Sequence, residues 1–273
     1  MKIINTQFFT LFVILFSSFL FGQKQEKLLD ESFLKAVYRV SFLSDTLNVN
    51  SRKEEDMVLL IGKVSSLYFS EQKYLSDSLT QRQISNSIAA AKSGNGVINV
   101  DLKNIPKYYS THEVYKKEGM LIFNKLDKNY FSFSPANEIQ WKLEKGAIEI
   151  MGYLCYKATG IYNGRLYEAW YSPEVHVSDG PYVFKALPGL VFKVTDGNAY
   201  NTFDLVGLEK VSQLIKPISK SESTTRQKFR AARQAYIDTT SDRLKGYIYR
   251  ELTADELKKI ESVRRSAPNN YLD

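Results

Sequence analysis

Few residues in this 273-residue chain have the types needed for chemistry beyond hydrogen bonding and charge: two histidines, His112 and His176, and one cysteine, Cys155. A metal centre would have to complete two imidazoles with carboxylates. No His-x-His, His-Glu-x-x-His or Cys-x-x-Cys spacing occurs, so no metal or other cofactor is expected. Neither a Gly-x-Ser-x-Gly elbow nor a phosphate-cradling glycine loop is present, and no two acids have a spacing characteristic of acid–base work. His176 lies in Pro173-Glu174-Val175-His176-Val177-Ser178-Asp179, just beyond Trp170-Tyr171, and is the better placed histidine. With Tyr171 and Asp179 it outlines the polar site that an exported hydrolase-like enzyme would need; an exposed or edge-strand histidine is the simpler reading. Cys155 sits within an apolar strand pattern and reads as a buried small hydrophobe. A lone cysteine forms no intramolecular disulfide, which leaves an intermolecular partner or a reactive thiol as its alternatives.

The other candidate is Leu187-Pro188-Gly189-Leu190. Proline pre-sets φ at the second position of a type II turn and glycine supplies positive φ at the third, while the leucines pin both ends to the sheet. The functional alternative makes this turn the lip of an apolar cleft. Tyr171, His176, Leu187, Pro188, Gly189 and Leu190 are then the candidate ligand-binding residues.

The elements that must position these residues are mainly strands. Tyr and Phe number 18 and 16, which favours a β-dominated body. Alternation predicts strands over 34–43, 57–69, 114–117, 120–126 and 129–134, with a short helix over 85–92 stopped by Ser93-Gly94-Asn95-Gly96. Asn163-Gly164 predicts a two-residue type I′ hairpin in which Tyr162 opposes Arg165 and facing residues sum to 327. That register separates Tyr156, Ala158, Ala169 and Tyr171 from Cys155, Lys157, Glu168 and Trp170, and the second set is expected to face the core. Strands continue over 182–185, 190–195 and 200–209. After Lys216-Pro217 the period becomes helical, with a break near residues 239–241 and a capping box at Thr253-Ala254-Asp255-Glu256. The expected fold is mainly β (α+β): a large curved antiparallel sheet over residues 23–216, with a helical C-terminal extension over 217–273.

Residues 1–22 read as a secretory signal peptide. Lys2 precedes the apolar run 8–21, and cleavage is expected between Gly22 and Gln23. No cysteine follows that run, so a lipoprotein anchor is not expected, nor is a transmembrane helix after signal removal. The chain has 37 basic and 30 acidic residues, and residues 220–273 carry 12 of the basic against 8 acidic. Peripheral contact with an anionic envelope surface fits that balance; nucleic acid is not an expected partner of an exported protein.

One longer word carries a family resemblance. Residues 180–196, Gly-Pro-Tyr-Val-Phe-Lys-Ala-Leu-Pro-Gly-Leu-Val-Phe-Lys-Val-Thr-Asp, resemble the signature of the GLPGLI family of exported Bacteroidetes proteins. The likeness extends through Gly152-Tyr153-Leu154-Cys155-Tyr156-Lys157-Ala158, Gly164-Arg165, Ala169-Trp170-Tyr171 and the closing Asn269-Asn270. Ala186 stands where that signature has its first glycine, and Val191 where it has isoleucine. The resemblance implies an exported protein, periplasmic or extracellular, and carries no biochemical activity with it. The expected function is an envelope-associated binding or accessory protein that holds an apolar or peptide ligand, or a partner protein, on a β scaffold.

Overall fold

The computed structural model describes residues 29–93, 100, 102–240, 242, 252–258 and 268–273; the expected signal peptide lies outside them. Strands β1 (Glu31–Leu43), β2 (Arg52–Gly62) and β3 (Ser66–Phe69) are followed by helix α1 (Glu71–Ser93). Then come β4 (Glu113–Lys116), β5 (Met120–Leu126), β6 (Asn129–Phe133), β7 (Lys142–Ile150), β8 (Tyr153–Tyr162), β9 (Arg165–Ser172), β10 (Leu190–Asp196), β11 (Asn201–Leu214), β12 (Glu222–Ser223) and helix α2 (Arg226–Asp238). All twelve strands form one sheet in the order β12-β6-β5-β4-β3-β2-β1-β11-β10-β9-β8-β7. Only the β12–β6 pair is parallel. The fold is therefore mainly β and antiparallel, as expected.

Curvature follows from chain length. β6 and β7 lie ten steps apart in the strand order, or about 48 Å in a flat sheet at ~4.8 Å per step. Yet only residues 134–141 connect them, and even a fully extended chain of that size spans roughly 31 Å. The sheet must curl. Its concave side holds a continuous core that includes Tyr38, Tyr68, Ile122, Phe133, Tyr162, Tyr167 and Phe203.

The Asn163-Gly164 hairpin has the expected register, Tyr162↔Arg165 through Tyr156↔Tyr171. Asn163 (φ 50°) and Gly164 (φ 75°) both occupy the left-handed region that a type I′ turn requires. The buried face differs from the expected one. Ala158, Ala169, Tyr167 and Tyr171 point into the core, whereas Lys157 pairs outside with Glu168 at 2.5 Å and Trp170 Nε1 donates to the same carboxylate at 2.9 Å. A diagonal ion pair across the hairpin keeps its hydration on the outer face, and the partly exposed indole of Trp170, directly opposite Lys157, packs against it there. Cys155 is fully buried nonetheless; it lies an odd number of residues from Ala158, so burial changes side along β8.

Several local expectations gave way to tertiary contacts. The run 57–69 is two strands because Asp30 holds a turn between them, accepting hydrogen bonds from Val64 N and Ser65 N at 3.0 and 2.8 Å. The helix expected over 85–92 begins at Glu71, where Ser70 Oγ caps it by accepting from Lys73 N. Residues 182–185 form no strand: Tyr182 has φ 50°, and Phe184 N donates to Pro181 O to close a turn. This turn drives Tyr182, Val183 and Phe184 into the concavity, where Phe184 meets Tyr167 at 4.7 Å and Phe203 at 5.3 Å. Strand β7 had no sequence signal strong enough to mark it. At the C-terminal end, α2 stops with Thr239 as its cap, and the expected capping box forms, with Thr253 N donating to Glu256 Oε2 and Glu256 N to Thr253 Oγ1.

Two substitutions test the backbone reading. Ala186 has φ 71°, a conformation that costs an L-residue roughly 1–2 kcal/mol. Ala186→Gly is therefore expected to raise the unfolding midpoint despite the looser unfolded chain. Gly164→Val should lower it by about 2 kcal/mol, since a β-branched residue resists positive φ even though the space beside Gly164 is open. Equal midpoints for Gly164→Val and the parent would refute the strained-turn account.

Candidate functional site

The candidate ligand-binding residues do not converge. Tyr171 is buried in β9, and Leu187 and Leu190 are buried at either end of the Pro188-Gly189 bend. His176 is exposed and borders a surface groove with Phe33, Tyr153 and Glu174; Pro188 is exposed beside a different groove that Trp141 lines. The bend is a tighter γ-type turn in place of a type II turn: Gly189 N donates to Leu187 O at 2.8 Å, and Leu190 N is drawn instead to Val175 O.

Asp179 is engaged elsewhere. Its carboxylate accepts from Lys116 Nζ at 2.6 Å, Ser66 Oγ at 2.5 Å and Gly180 N at 2.7 Å. Lys116 also donates to Gly180 O at 2.6 Å, so this buried pair ties β3 and β4 to the start of the 180–196 segment. Burial lowers the Lys116 pKa against the opposing pull of Asp179. Burial likewise pushes the Cys155 thiol up to about 11, which leaves it protonated and a poor nucleophile at neutral pH. Among the described residues, no three His, Cys, Asp or Glu side chains form a group able to hold a metal, and no helix is long and apolar enough to cross a membrane.

A third concavity lies at the opposite end of β1 from the His176 groove. A cleft of about 190 Å³ has apolar walls from Val40, Phe42 and Phe229 and polar ones from Ser110, His112 and Arg233. Pro268 and residues 270–273 form one side of it. Asn270 is 6% exposed; its amide nitrogen donates to Leu43 O at 2.8 Å and its oxygen accepts from Arg165 at 2.6 Å. Asn269 accepts from Thr46 N at 2.9 Å and donates to Asp45 at 2.7 Å. One Arg233 nitrogen bridges both Asp273 oxygens at 2.7 and 2.8 Å, while the guanidinium lies 3.5 Å from the Tyr271 ring centroid. Charge-assisted hydrogen bonds and a stacked guanidinium are among the stronger polar contacts a surface can offer.

Local structure sets these groups in place. The type I′ turn points Asn163 Nδ2 to Leu272 O at 3.4 Å, and Arg226 holds the same amide through its oxygen at 2.5 Å. Asp196 orients Asn201 by accepting from both its backbone and side-chain nitrogens at 3.1 and 2.7 Å. Thr225 caps α2, Phe229 anchors it on Phe133 at 4.9 Å, and Arg233 follows one turn later on the same helix face.

His112 is the histidine the cleft uses. Its ring meets Tyr182 edge-on at 5.2 Å and stacks with Tyr68 at 6.0 Å, and its buried Nε2 has no hydrogen-bond partner among the described residues. Burial brings its pKa down to about 4 despite the nearby Asp273 charge. Sequence reasoning preferred His176 and passed over His112, Arg165 and Arg233. The one available signal was the clustering of two amides, an aromatic and an aliphatic in Asn269-Asn270-Tyr271-Leu272.

No protein-family model matches the sequence, and no curated protein matches it either. Two solved structures of PNGF-II, in the P21 and C2 space groups, align with 75% of this chain at TM-score 0.49 and 14% identity. The alignments span 34% and 33% of those chains, so this chain covers about a third of their length.

Proposed function

We propose that this chain is an exported, envelope-associated binding protein that holds a peptide segment in the cleft between the end of β1, β5 and α2. The observation that carries the proposal is the grip on residues 269–273. Groups from four separate places, Leu43, Arg165, Asn201 and Arg233, converge on one side-chain amide, that of Asn270, and on the Asp273 carboxylate. Such an arrangement recognises a peptide by donor and acceptor pattern and leaves its bonds unchanged. The signal-like residues 1–22 and the resemblance to exported GLPGLI proteins support the compartment and the family. In this reading the 180–196 segment serves architecture, filling the concavity with its own aromatics and leaving the rim for recognition.

A photo-crosslinking residue at Tyr109, which is exposed on the cleft, tests this in the native envelope. Peptide or protein adducts identified by mass spectrometry are expected at position 109, with few at an equivalent probe at His176. Adducts confined to lipid, or equal capture at both positions, would overturn the proposal.

A further inference from the structure

We infer that residues 269–273 are an internal ligand: they occupy the cleft in which a peptide of another protein, bearing a side-chain amide and a carboxylate three residues beyond it, binds by displacing them. The inference rests on the peptide-binding reading of the cleft. A segment that merely fills space needs burial. This one is read by chemistry: both ends of the Asn270 amide are matched, and the Asp273 carboxylate meets Arg233 while being 6% exposed. Arg233 supplies the positive charge that the carboxylate of an acidic peptide complements.

The cleft also has space that its present occupant does not fill. About 190 Å³ stays open beside Pro268 and residues 270–273, which help to line it. The buried Nε2 of His112 belongs to the lining of that space and has no hydrogen-bond partner among the described residues. A buried imidazole left unmatched is costly, and a longer peptide laid along the same groove can bring a polar group to it. The internal segment thus satisfies the rim and leaves the inner wall for a ligand.

Displacement has a measurable signature, because a site competent only when its own segment is out binds an external peptide more weakly by that fraction. The probe is an N-terminally labelled, C-terminally amidated Asn-Asn-Tyr-Leu-Asp peptide, titrated by fluorescence anisotropy into the full chain. An Asn270→Ala/Asp273→Ala double variant, whose own segment has lost its grip, is expected to bind the probe about tenfold tighter or more than the parent. Adding Arg233→Ala should abolish the gain, and a scrambled probe should show none. In the unaltered chain, saturating probe should speed hydrogen exchange at the Asn269 and Asn270 amides, which donate to Ser44 O while the segment is seated, a readout independent of the variants' folding. Unchanged exchange on saturation, or a gain that survives Arg233→Ala, overturns the inference. Peptide adducts at position 109 that the probe cannot compete away would leave the binding function standing and remove the internal ligand; absence of both probe binding and peptide adducts would remove both.

Discussion

Gly189→Ala is expected to lose roughly 3 kcal/mol or more of folding stability, enough to leave a marginal domain largely unfolded. Two independent constraints meet at this residue. Its φ of 147° is in a region that L side chains rarely adopt. A Cβ there would also fall 2.1 Å from Ser172 O and 2.5 Å from Ser172 C. These are backbone atoms at the end of β9, so no side chain can swing aside; the β9–β10 connection must move. Leu190 N, held by Val175 O, and Val191 N, held by Asp179 O, follow directly, and with them the Lys116–Asp179 pair. Gly164→Ala is the control, with positive φ but open space around it, and should cost only about 1 kcal/mol. Urea unfolding of both variants checks the contrast; a Gly189→Ala midpoint within error of Gly164→Ala would show that the close approach does not constrain the fold. Ligand binding should fall in step with unfolding, because Gly189 is remote from the cleft lining.

The second large effect is a loss of stability on mild acidification, traced to His112. Burial holds its pKa near 4 in the folded protein, against an ordinary value of 6.5. Between those limits the unfolded chain binds a proton that the native one refuses, so stability rises with pH. The contribution is complete above pH ~6.5, declines as pH falls towards ~4, and then levels off. The full change is on the order of 3 kcal/mol at about 1.4 kcal/mol per pH unit. Glu113 works in the opposite sense, since burial raises its carboxyl pKa against the pull of Lys73 and its contribution fades as pH increases. Comparing the parent with His112→Phe cancels that background. The difference in unfolding free energy between them should change by several kcal/mol from pH 7 to pH 4, and a constant difference would show that His112 is solvated or paired. An incoming ligand group that accepts from protonated Nε2 should raise the folded-state pKa and reduce this pH dependence.

Sequence by itself determined the β-dominated class, most strand positions, the register of the Asn163-Gly164 hairpin and the capping box at Thr253. These features depend on residues a few positions apart: alternation, an Asn-Gly pair needing positive φ, a Thr and a Glu three residues apart. It also singled out Ala186 as a residue where glycine would be at ease, and the structure places that residue at φ 71°. Tertiary structure alone decided which hairpin face is buried, because that depends on the Lys157–Glu168 ion pair having water on its side of the sheet. It decided that Tyr182 and Phe184 plug the concavity, since their neighbours come from β8, β9 and β11. The cleft was the least legible feature of all. Asn270 meets partners 69, 105 and 227 residues away, and His112 gains its surroundings from the closing segment and the 180–196 turn. Spacing rules reach about one helical turn or one hairpin, whereas this site is assembled by the curl of a twelve-stranded sheet, which brings together rims that the chain visits far apart in sequence.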